Sequence, residues 1–77
     1  MKIKEHEYVV LTADLAEEKL KAGDVGTVVH IHRKGAAYEV EFTTLDGRTV
    51  AVATVANTQL RPVSRSDISH ARELQPA

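Results

Sequence analysis

At 77 residues the chain amounts to one domain, near the lower limit for a hydrophobic core without staples. It has no cysteine, which excludes disulfides and thiol chemistry. Ten basic residues stand against eleven acidic ones, a formal net charge of −1 with the bases scattered along the chain, which disfavours nucleic acid as a partner held through its phosphates.

The amino terminus, Met1-Lys2-Ile3-Lys4-Glu5-His6-Glu7, carries no apolar run of the kind a signal peptide needs. No stretch reaches the about 20 apolar residues of a membrane span. The expectation is a cytoplasmic protein with no membrane partner. Tyr8-Val9-Val10-Leu11 reads as a first short strand. Thr12 to Ala22 has helix formers but too few of them for a free helix. It is predicted to be a folded-over loop with one helical turn, Leu15 and Leu20 tucked inward and Glu17, Glu18 and Lys19 wet.

Lys21-Ala22-Gly23-Asp24-Val25-Gly26 then turns sharply into the β-branched run Thr27-Val28-Val29-His30-Ile31. Arg33-Lys34-Gly35-Ala36 supplies a hairpin turn, with Gly35 free to adopt a positive φ. Uninterrupted pairing from that turn sets His32 opposite Ala37, Ile31 opposite Tyr38, His30 opposite Glu39, Val29 opposite Val40 and Thr27 opposite Phe42. One face then holds Thr27, Val29, Ile31, Tyr38, Val40 and Phe42. The other holds Val28, His30, Glu39 and Glu41, and a slip by one residue would bury both glutamates.

The next connection offers two registers. A two-residue Asp46-Gly47 loop places Phe42 opposite Ala51. A three-residue loop, Leu45-Asp46-Gly47, places Phe42 opposite Val50 and Val40 opposite Val52. The second buries two valines in place of two alanines, a preference of roughly 2–3 kcal/mol by apolar area. It also uses Gly47 as the left-handed residue of a bulge. The three-residue loop is therefore expected. Ala56 to Gln59 reads as one 3₁₀ turn, and Leu60-Arg61-Pro62-Val63 as a last strand, with Pro62 acceptable at an edge or a strand end. The fold class expected is all-β, a small five-stranded SH3-like barrel over residues 1–63. A polar tail, 64–77, is helical or extended, with Ser66 a candidate helix N-cap.

Leu20 to Val29, Ala37 to Phe42 and Gln59-Leu60-Arg61-Pro62 together resemble domain of unknown function family 4926, a small bacterial and archaeal family. The resemblance spans about Lys4 to Pro62. It implies a one-domain SH3-like protein, encoded beside another small protein, with a partner-binding, antitoxin-like role and no catalytic residues. The Gly23-Asp24-Val25-Gly26 element also resembles the KOW element of ribosomal and transcription-elongation proteins and the barrel of the nitrile hydratase small subunit. The KOW likeness ends at Val29, and the basic, Gly-rich extension that reads RNA is missing.

Several constellations suggest chemistry. His30 and His32 share a face with Glu39 and Glu41, a pattern compatible with a metal site; two histidines on a flat strand diverge, so a charge-complementary cross-strand pair is favoured and no metal or other cofactor is expected. Ser66, Asp67 and His70 imitate a triad, but capping and solvent exposure suit them better, and His6 and His70 are expected to be solvated. No catalytic residue, and so no enzyme, is expected. The candidate site is a partner interface on the outer face: Val28, His30, Ala51, Ala53 and Val55, with Ile68 and Leu74 of the tail. A homodimer or a neighbouring small protein would cover it. The alternative is a KOW-like RNA- or ribosome-associated module using Arg33, Lys34 and Arg48 at the loop tips.

Overall fold

Four runs rich in valine, threonine and tyrosine and the short stretch Leu60-Arg61-Pro62 form the strands, and the glycines and short polar stretches between them form the turns. A computed structural model describes residues 3–74. The strands are β1 (Tyr8–Leu11), β2 (Val25–His32), β3 (Ala37–Thr43), β4 (Thr49–Ala56) and β5 (Leu60–Pro62), with 3₁₀ turns at Ala16–Glu18 and Asn57–Gln59 and a left-handed turn at Arg33–Gly35. They make one antiparallel sheet in the order β4-β3-β2-β1-β5. The all-β, five-stranded fold is the one expected; the sheet is open, with β4 and β5 as its edges. Val9, Leu11, Val28, Val40, Val55 and Leu60, drawn from all five strands, meet in a single core. Among the described residues no helix is long and apolar enough to cross a membrane. Met1, Lys2 and residues 75–77, the outermost ends of the two predicted segments, lie outside the described residues.

The β2–β3 hairpin follows the expected register only near its turn. His32 faces Ala37, Ile31 faces Tyr38 and His30 faces Glu39, but Val28, not Val29, faces Val40, and Thr27 faces Glu41. Val29 is the extra residue of a bulge. From there toward the amino end every side chain of β2 changes face, so Val28 is fully buried and Val29 is exposed. Gly26 gains the inner position. A Cβ there would lie 2.5 Å from Val40 Cγ1 and 2.9 Å from both the Glu41 oxygen and Phe42 Cε1, so only glycine admits the third strand this closely.

The β3–β4 connection is the three-residue loop expected. The Thr44 amide donates to Arg48 O at 2.8 Å, and the Gly47 amide donates to Thr44 O at 2.9 Å, with Gly47 at φ +91°. The register beyond it is corrected. Thr43 faces Thr49 but Phe42 faces Ala51, so Val50 is a second bulge residue. Val40 then faces Ala53, and Tyr38 faces Val55. The alanines turn inward and Val52 turns out, 53% exposed. Area favours burying valine; volume overrules it. Phe42 and Val40 already fill the interior beside Gly26, and small residues opposite large ones keep the packing free of strain. Glu39 and Glu41 stay on the outer face, as expected, taking hydrogen bonds from Thr54 Oγ1 at 2.6 Å and Thr49 Oγ1 at 2.8 Å.

The long loop between β1 and β2 closes on itself through a bridge between Leu15 and Leu20, with Leu20 in the core and Leu15 packed against it. The polar tail forms no helix over its described part. Asp67 is committed elsewhere: its carboxylate accepts both Arg61 guanidinium nitrogens, at 2.9 and 2.8 Å, and the Ser64 amide at 2.7 Å. The chain beyond it has no regular secondary structure and passes the turn at Gly23 and Asp24.

Candidate functional site

Asp24 is the one buried charged group among the described residues. Gly23, at φ +96°, sets up the turn that delivers it, with the Gly23 amide donating to Leu11 O at 2.8 Å. The Lys21 amide donates to Asp24 Oδ2 at 2.9 Å from within the same turn. The remaining lone pairs are met by the tail. Arg72 Nε donates to Oδ1 at 2.8 Å and Nη2 to Oδ2 at 2.6 Å, a two-pronged charged pair, while His70 Nε2 lies 3.3 Å from Oδ1. Arg72 Nη2 also donates to Lys19 O at 3.2 Å. His70 and Arg72, two apart in a stretch without regular secondary structure, reach one carboxylate; on a helix, residues two apart would diverge. Burial alone would raise the Asp24 carboxyl; the Arg72 fork, the Lys21 amide and His70 together outweigh it and hold the group below the usual carboxylate range. The tail is thus a strap, pinned once by Arg61 and Asp67 and once by Asp24.

The strap creates two clefts. One, of about 580 Å³, opens between residues 70–74 and the β3–β4 hairpin, over Leu20, Phe42 and Val50. The other, of about 360 Å³, lies where the strap crosses β1 and β5. Tyr8, Val25, Val63 and Ile68 line this second groove, and all four are exposed, Ile68 at 92%. Arg61, Asp67 and His70 form its polar rim.

The residues assigned from the sequence to an outer interface do not form one surface. Val28, Ala53 and Val55 lie in the core, and Ala51 packs against it, because the bulges at Val29 and Val50 each reverse the facing of the strand around them. His30 is exposed on the outer face, its Nδ1 3.8 Å from Glu5 Oε2 and its ring edge-on to His32 at 4.6 Å. His32 in turn lies 3.5 Å from Glu39 Oε2. Among the described residues no three histidine, aspartate or glutamate side chains are placed to hold a metal ion. Ile68 and Leu74 are exposed on the strap, Ile68 in the smaller groove and Leu74 in the larger cleft.

Ser66, Asp67 and His70 do not converge: Asp67 is held by Arg61, and His70, exposed as expected, turns one ring nitrogen to Asp24. At the loop tips Arg48 Nε sits 3.5 Å from Asp46 Oδ2, partly neutralised, while Arg33 and Lys34 are exposed. Sequence reasoning missed Asp24 with His70 and Arg72, and the exposed set of Tyr8, Val25 and Val63. The spacing of His70 and Arg72 is the available signal, legible only once the segment is taken as non-helical.

The model of a family described as domain of unknown function (DUF4926) matches residues 5–62, from just before β1 to the end of β5, and leaves out the strap. No curated protein and no solved structure matches the chain.

Proposed function

The chain belongs to the DUF4926 family, and from the grooves described above we propose that it is a non-enzymatic, cytoplasmic protein-binding module. It captures an apolar segment of a small partner protein, in the manner of an antitoxin. The observation that carries this reading is the exposed group of Tyr8, Val25, Val63 and Ile68 around one groove. Four large apolar side chains gathered at one place, rimmed by Arg61, Asp67 and His70, have the anatomy of a contact surface: an apolar centre with a polar edge. The commitment of Asp67 to Arg61 and of His70 to Asp24, which leaves Ser66 without a base, supports a binding role over nucleophilic catalysis.

The test is co-expression with the product of the adjacent gene, with Ile68→Glu and Tyr8→Glu as variants. The wild type is expected to co-purify with its partner and to keep it when salt is raised from 0.1 to 1 M, because apolar contact is little screened. Both variants should lose the partner while their circular dichroism stays that of the wild type. A complex that survives both substitutions contradicts the groove. A complex that dissolves steeply with salt points instead to phosphate recognition through Arg33 and Lys34.

A further inference from the structure

The two edges of the sheet are unequal. β5 spans only Leu60–Pro62 and ends on a proline, which has no N–H to offer a further strand. β4 is eight residues long and reads Thr49-Val50-Ala51-Val52-Ala53-Thr54-Val55-Ala56, with no charge and no proline. Its hydrogen-bonding direction follows from one contact. The Asn57 amide donates to Ala36 O at 3.1 Å, so Ala37 and Ala56 are a pair that does not bond directly, flanked by bonds on either side. The alternation then gives Ala51, Ala53 and Val55 to β3, and turns the N–H and C=O groups of Val52, Thr54 and Ala56 to the open side. Apart from the Ala56 carbonyl, which the 3₁₀ turn at Asn57–Gln59 takes up, no backbone hydrogen bond among the described residues leaves that side. Natural edges are blunted by lysine, proline, bulges or cover. Past the bulge at Val50, this one carries none of the first three.

We propose that this edge pairs, antiparallel and about a two-fold axis near Ala53, with the same edge of a second copy of the chain. Three observations select that occupant. Antiparallel pairing about a two-fold axis aligns Val52 with Thr54 of the other copy, so each free donor meets a free acceptor and the row complements itself. The strand has no charge with which to prefer a foreign strand of opposite sign. A head-to-tail union of β4 with β5, which would propagate into rings or fibres, meets Pro62, so the closed pair is favoured over the open chain. The acidic outer residues do not oppose it. Glu39 and Glu41 are on β3, three strand spacings or about 14 Å from those of the second copy, beyond the about 8 Å screening length at physiological salt. This surface is separate from the groove of Tyr8 and Ile68, and the two readings stand or fall apart.

The experiment is sedimentation equilibrium of the full chain together with residue-resolved amide exchange. The wild type is expected to be a dimer whose Val52, Thr54 and Ala56 amides are protected at high concentration and lose that protection on dilution. Thr54→Pro removes an N–H that β3 does not use, so it should leave the fold intact and weaken the dimer at least tenfold. Val52→Lys, which places like charges across the axis, should weaken it as well. Ile68→Glu should leave it unchanged. Should Thr54→Pro fail to fold, Val52→Lys and the exchange data decide. A monomer at millimolar concentration overturns the proposal. So does a dimer indifferent to Val52→Lys, or one in which the three amides exchange freely.

Discussion

Substituting Gly26 by alanine separates the observed register of β2 from the uninterrupted one by the sign of its effect. Gly26 does not adopt a positive φ, so nothing in the backbone forbids a side chain there. In the uninterrupted register it faces solvent, and alanine in place of glycine within a strand stabilises by roughly 0.5–1 kcal/mol. In the structure the new methyl lands 2.5 Å from Val40 Cγ1, 2.9 Å from the Glu41 oxygen and 2.9 Å from Phe42 Cε1. Val40 and Phe42 are buried side chains with little room to turn, and the Glu41 oxygen is backbone, so β3 itself must move. Overpacking of this kind costs about 1–3 kcal/mol, and the backbone contact places the expectation in the upper half of that range. At roughly 4–8 °C per kcal/mol for a domain this small, the melting midpoint should fall by about 8–24 °C. Urea denaturation followed by circular dichroism reads the same quantity, with the slope unchanged. Val29→Lys is the companion, expected to stay within about 0.5 kcal/mol because Val29 is exposed. A Gly26→Ala variant as stable as the wild type, or more so, refutes the inward placement of Gly26 and with it the bulge at Val29.

Asp67 is pushed down to about 2 by the Arg61 fork and the Ser64 amide, from an ordinary value of 3.8, and Asp24 also lies below that value. A carboxylate lowered by folding contributes stability that is complete above its unfolded value and is lost as pH falls through its folded one. The strap should therefore stay docked at neutral pH and release between about pH 3.8 and about 2, read as increased protease cleavage or amide exchange across residues 64–74. Release already complete at pH 5 would contradict it. Arg33 and Lys34 adopt positive φ values of 46° and 56° in the β2–β3 turn, a conformation that suits asparagine and glycine. The double substitution Arg33→Asn, Lys34→Gly should stabilise by about 1 kcal/mol in thermal melts, and a loss of stability would contradict the turn geometry. Gly47→Val should cost more than about 1 kcal/mol from backbone strain alone, since a Cβ at Gly47 meets nothing within 4 Å; a neutral result would refute the left-handed turn.

The strand positions were legible in the sequence because β-branched runs and the turns at Gly35 and Gly47 mark them locally. The pairing nearest each turn was legible for the same reason: the turn fixes it. What alternation could not reveal is where alternation breaks. Val29 and Val50 are both valines next to other residues of strand character, and no residue type announces a bulge; the interior volume left by Phe42, Val40 and Gly26 decides it. Two such breaks carried Val28, Ala53 and Val55 from the expected outer face into the core, and the proposed interface dissolved with them. The strap was misjudged for a related reason. Ser66 and Asp67 have the chemistry of a helix start, but Arg61, six residues earlier, claims the aspartate with both guanidinium nitrogens, from outside the single turn over which a helix start is read.

Both the core and the free edge of β4 depend on Phe42 facing Ala51, and inter-strand Hα–Hα contacts in solution NMR test that pairing most directly. A cross-peak between Glu41 and Val52, with a second between Glu39 and Thr54, is the result expected from this structure. Cross-peaks joining Glu41 to Ala51 and Glu39 to Ala53 would contradict it, returning Val50 and Val52 to the interior and turning Ala51, Ala53 and Val55, in place of Val52, Thr54 and Ala56, to the open edge.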